Sequence, residues 1–140
     1  MQTADFLDAI GGLTSQLKAY AAKLPPIVHL AAVPTGVKPK LEAIEDYEDI
    51  VTRIRTQSAG TPFRSLNGSF IESLEAFEAG KLLGSVQPLL AVIDHLGRMQ
   101  RDKEIEVGRI DEKRIADYRA ALEKILPGNK PELGGAGRGM

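Results

Sequence analysis

Large apolar residues fall at Phe6, Ile10, Leu13, Leu17, Tyr20 and Leu24, at steps of 4, 3, 4, 3 and 4. That is a seven-residue repeat, which draws one apolar line down a helix. Thr3 stands where an N-cap belongs, and Asp5 complements the positive end of the helix. Pro25 and Pro26 end the segment, because neither donates an amide hydrogen and each restricts the residue before it.

Two adjacent glycines, Gly11 and Gly12, interrupt this helix. They occupy the b and c positions of the heptad, off the apolar line, and each costs about 1 kcal/mol of helix propensity relative to alanine. Either the pair merely loosens a helix already fixed by its seam, or the bare backbone admits a second element from behind. In both cases the helix must draw its stability from contact.

Residues 25–40, "PPIVHLAAVPTGVKPK", hold four prolines around an apolar stretch. They read as an ordered crossover over 27–38, too short for periodicity to choose helix or strand. The next helix starts near Pro39, at the first helical position, and runs to about Ser58. Its apolar line is Ile44, Tyr47, Val51 and Ile54, with Leu41 on the flank. Acids crowd its first half (Glu42, Glu45, Asp46, Glu48, Asp49), Arg53 and Arg55 close it, and Asp49 with Arg53 makes an i,i+4 pair. Gly60 and Pro62 are its stop.

In "SLNGSFIE", Asn67-Gly68 is a turn pair and Ser69 with Glu72 has the spacing of a capping box. A helix from Phe70 carries Leu74 and Phe77 and meets Gly80; another, Val86 to Arg101, has a wide apolar arc that predicts deep burial. The two are separate, or one helix kinked at Gly80, Gly84 and Pro88. Near 104–108, Ile105 and Val107 alternate as a short strand would. A last helix from Asp111 carries Ile115, Tyr118, Leu122 and Ile125 and stops at Leu126-Pro127-Gly128. The expected architecture is therefore all-α: a bundle of about five helices as one domain over 1–127, with a flexible glycine-rich tail over 128–140.

Aromatics are 5% of the chain, so the core must be mostly aliphatic. A net charge of −1 lacks the basic excess that phosphate neutralisation requires, which argues against nucleic acid as the main partner. The absence of cysteine removes disulfides, thiolate zinc sites and cysteine nucleophiles, and fits a cytoplasmic setting. Asp5 and Asp8 stand where a signal peptide carries basic residues, and no apolar run approaches 18 residues, so no membrane span is expected.

Candidate chemistry is sparse. His29 sits in an apolar run and suits a satisfied core histidine better than a ligand. Asp94-His95 are neighbours about 100° apart on a helix, so the carboxylate does not naturally orient the ring. The acids near residue 45 precede an apolar line and face outward; no Glu-x-x-His accompanies them to build a di-iron site. "GKLLG" is flanked by charge rather than set in a long apolar segment. No catalytic, cofactor or metal site is expected. The expected role is non-enzymatic: a structural or adaptor subunit that docks helices onto protein partners in a homo- or hetero-oligomer, a virion- or phage-type component being one setting. Phe6, Ile10, Leu13, Leu17, Tyr20, Leu24, Ile115, Tyr118, Leu122 and Ile125 are the candidate partner-binding seams. The alternatives are a small regulatory or inhibitor protein with one target, and a small enzyme using Asp94 and His95.

Overall fold

The computed structural model describes residues 1–22 and 38–125. Among them are five α-helices: α1 (Thr3–Ala22), α2 (Leu41–Gln57), α3 (Asn67–Glu78), α4 (Leu82–Arg101) and α5 (Arg109–Ile125). A 3₁₀ turn, Pro62–Leu66, precedes α3. Each helix packs against the next in order, α5 returns to α1, and α1 also reaches across to α4. The all-α bundle expected from the periodicity is what forms. The crossover from 27 to 37, Leu24, His29 and the tail lie outside the described residues.

α1 is the hub. Phe6, Leu7, Ile10, Leu13, Leu17 and Tyr20 are all buried, and Thr14 is buried with its hydroxyl donated to the Ile10 carbonyl at 2.9 Å. Phe6 stacks on Phe63 with centroids 4.3 Å apart and meets Phe70 edge-on at 5.6 Å. At the other end Tyr20 meets Phe77 edge-on at 5.6 Å, and Phe77 stacks on Tyr47 at 4.4 Å. These two clusters take up all four phenylalanines, so the scarce aromatics are concentrated at the joints of an otherwise aliphatic core. Tyr20 also donates its hydroxyl to the Gly80 carbonyl at 3.2 Å, tying α1 to the α3–α4 turn.

The glycine pair lets two helices approach α1. A Cβ on Gly11 would lie 2.6 Å from the Tyr118 hydroxyl oxygen on α5, and one on Gly12 would lie 3.0 Å from the Ile50 Cδ1 on α2. Of the two readings open from the sequence, close approach from behind is the one the structure takes.

Several local expectations are corrected. Helix α1 begins at Thr3, and its start is closed by Asp5, whose carboxylate accepts from the Gln2 amide at 3.2 Å. α2 begins at Leu41, two residues after Pro39, and the Asp49–Arg53 pair is not among the ion pairs of the described residues. The Ser69–Glu72 capping box does not form. Thr61 instead caps the 3₁₀ turn by accepting from the Phe63 amide at 3.2 Å, and that turn runs straight into α3. Its Arg64 carbonyl accepts from the Asn67 amide, so the chain is already helical before Ser69.

α3 and α4 are separate. Gly80 (φ +74°) reverses the chain, with the Lys81 and Gly80 amides donating to the Ala76 and Phe77 carbonyls at 2.8 and 3.0 Å, a Schellman ending. α4 ends the same way, but with Lys103 rather than glycine in the left-handed conformation (φ 61°). No strand forms at 104–108; Ile105 turns inward to the core while Glu104 and Glu106 stay in solvent, which accounts for the alternation without a partner strand.

If Gly11 exists to admit Tyr118, replacing it should change sign with its neighbour. Gly11→Ala gains about 1 kcal/mol of helix propensity and loses about 1–3 kcal/mol to overpacking, so it should destabilise the chain. In a Tyr118→Ala background the same change should stabilise by up to about 1 kcal/mol. Urea unfolding of the four proteins checks it.

Candidate functional site

The two predicted seams meet different fates. Every described member of the α1 seam (Phe6, Ile10, Leu13, Leu17, Tyr20) is enclosed by this chain's own helices, so none of them offers surface to another molecule in this fold. In α5 only Leu122 is buried, whereas Ile115, Tyr118 and Ile125 are half-covered. Ile110, at the start of α5, is 80% exposed. Among the described residues, the exposed large apolar side chains are Ile110 at the α5 edge and Leu41 at the start of α2, and α5 adds the half-covered Ile115, Tyr118 and Ile125 to its edge.

That edge has a definite shape. A shallow groove of about 350 Å³ runs between α4 and α5, with Gly97, Ile115, Ala116 and Ala120 among its lining residues. Small residues keep its walls low. Charged and polar pairs bridge its rim: Gln100 donates to the Glu112 carboxylate at 2.9 Å, and Arg119 pairs with Asp94. On the opposite flank of α5, Arg114 pairs with Asp8 of α1 and with Asp111 at 3.5 Å, and donates to the Tyr118 hydroxyl at 3.2 Å. The Tyr118 hydrogen bond is the main cause holding the Arg114 guanidinium's pKa above its ordinary value, with the Asp8 contact adding to it.

The side chains of the neighbours Asp94 and His95 turn to different partners. Asp94 turns to Arg119 on α5, while His95 Nδ1 accepts from Arg98 one turn along the same helix at 3.0 Å. The five acids of α2 are all exposed, and no group of three metal-ligating side chains occurs among the described residues. The "GKLLG" glycines straddle the α3–α4 turn, where Gly84 packs close to Ala76, so they form no stripe on one helix. No described helix is long and apolar enough to cross a membrane.

One cluster was not anticipated. Tyr47, Ser73 and Ser85 meet in the core between α2, α3 and α4, each fully buried. Ser73 donates to the Ser85 carbonyl at 2.7 Å and Ser85 returns a bond to the Ser73 carbonyl at 2.9 Å. Both serine protons being used, the Tyr47 hydroxyl donates to Ser73 Oγ at 2.5 Å. Every donor is satisfied, as a buried polar group requires. The sequence signal was present, since Ser73 shares the apolar face of Phe70 and Phe77, and Ser85 lies beside Leu82, Val86 and Leu89. Sealed from solvent and saturated, the trio suits fixing the register of three helices better than attacking a substrate.

Tyr47→Phe removes a donor and leaves only an acceptor unfilled, so it should cost about 0.5–1.5 kcal/mol. Ser73→Ala strips the tyrosine of its shortest contact and the Ser85 carbonyl of its donor, and should cost about 1–3 kcal/mol; urea unfolding would rank the two. Burial raises the Tyr47 pKa against the opposing pull of its serine partners. The folded state thus keeps a proton that the unfolded state releases at about pH 10. This contribution is intact below that pH and is lost as pH rises through it towards the folded value. Tyr47→Phe should show a shallower loss of stability above pH 10 in alkaline denaturation. Comparison with protein-family models, curated proteins and solved structures finds no match to this chain.

Proposed function

We propose that this chain is a non-enzymatic structural or adaptor subunit that docks onto partner proteins through its helices, as part of a larger cytoplasmic or virion-type assembly. The observation that carries this reading is the incomplete covering of α5. The apolar line of α5 is buried at Leu122 and half-covered at Ile115, Tyr118 and Ile125, and an 80% exposed Ile110 stands in its first turn. The groove beside it adds a concave apolar surface with polar borders, the anatomy of a protein-docking patch. The pairing of Asp94 with Arg119 and of His95 with Arg98 supports this reading over a small enzyme using the two neighbours together.

The second reading is a regulator acting as a compact monomer on one target. The internal burial of every described member of the α1 seam favours it, because such a hub needs no partner to cover it.

Size-exclusion chromatography with light scattering separates the two. The assembly reading expects a mass that is a multiple of 15.1 kDa and that falls back to one chain when Ala116→Arg fills the groove with charge. A chain that stays at 15.1 kDa at every concentration, with a sharp cooperative melt, would overturn it in favour of the regulator.

A further inference from the structure

Helix α5 is attached to the bundle differently from the other four. Leu122 is the one buried residue of its seventeen, against nine in α4. Both aromatic clusters and the Tyr47–Ser73–Ser85 trio lie wholly within α1 to α4 and the 3₁₀ turn. Beyond Leu122, α5 is held by the half-covered Ile115, Tyr118 and Ile125, which pack against the core, and by side-chain pairs open to water. Arg114 reaches Asp8, which is 71% exposed, and Arg119 reaches Asp94, 55% exposed. Exposed pairs of this kind contribute little and are screened by salt.

The connection to α4 is equally distinctive. Ile105 is anchored in the core, but the next four residues, Glu106 to Arg109, hold only the half-covered Val107, and a Cβ on Gly108 would meet nothing within 4 Å. A pivot at Gly108 leaves Ile105 with the body and moves α5.

We propose that α5 is a hinged latch, which opens and closes as one unit on a body formed by α1 to α4, with the Asp8–Arg114 and Asp94–Arg119 pairs setting how often it is open. Opening withdraws Leu122, the one fully buried side chain of α5, together with the half-covered Ile115, Tyr118 and Ile125, and uncovers the Gly11 flank of α1 and the α4 wall of the groove. Tyr118 fits the role of the catch, since its hydroxyl is seated against Gly11 and held by Arg114. This inference does not rest on the docking reading, and a monomeric regulator would carry the same latch.

Hydrogen–deuterium exchange with mass spectrometry on the full chain tests it. Peptides from 109–125 should be protected at least about tenfold less than those from 82–101, yet more than free chain, as a subglobal opening requires. Raising salt to about 1 M, where the screening length falls to about 3 Å, should speed exchange in α5 and leave α4 unchanged. The double variant Asp8→Asn, Asp94→Asn should reproduce this at low salt by about two- to tenfold. Equal protection of α5 and α4 would overturn the latch, because the helices would then open only together. So would an α5 that exchanges at the free-chain rate, or one indifferent to both salt and the double variant.

Discussion

Everything in this bundle depends on burying α1 from several sides at once. Its heptad line meets the aromatic residues of α3 and the 3₁₀ turn, while its back must accept α2 and α5. An ordinary side chain at residue 11 would collide with Tyr118, and one at residue 12 would press on Ile50. Two bare positions remove that obstacle at a cost in helix propensity, and contact on every side offsets the cost. The ring of helices closes because α1 is thin where its neighbours cross it.

The forces are divided unevenly around that ring. Between α2, α3 and α4 a saturated hydroxyl cluster stands in a dry environment, where each hydrogen bond is strong and any slip in register strands a donor. Around α5 the specific contacts are charged side chains in water, which tolerate displacement. The two regions are thus held by different kinds of polar contact, saturated and dry in one and open to water in the other. The groove lies on the boundary between them, with one wall from each.

Much of this was legible in the chain. The spacing of Phe6 to Tyr20 identified the central helix, the wide arc of α4 foretold its burial, and Ile115, Tyr118 and Leu122 marked the last helix. Other features were hidden for physical reasons. The 3₁₀ turn escaped notice because Gly60 and Pro62 read as a stop, yet Thr61 and Pro62 start a new turn that carries Phe63 and Leu66 into the core. Ser69 and Glu72 have capping-box spacing, but a cap has no work to do inside a helix already begun upstream. The end of α4 at Arg101 is legible in the sequence, whereas its start at Leu82, four residues before Val86, is not. Which element approaches Gly11 is a tertiary fact, set by Tyr118 more than a hundred positions away, and no local pattern encodes it. The same holds for the uneven covering of α5, since the spacing of its apolar residues matches that of α1 while their surroundings do not.

The pairing of α1 with α5 also orders events at the ribosome. α5 follows α1 to α4 along the chain, so a nascent chain that stops short of Arg109 leaves the Gly11 flank of α1 bare. Phe6 can find Phe63 and Phe70 sooner, once the middle of the chain has emerged. Vectorial synthesis thus passes through a stage in which the aromatic joints of α1 to α4 can assemble while the side that α5 covers is unfinished.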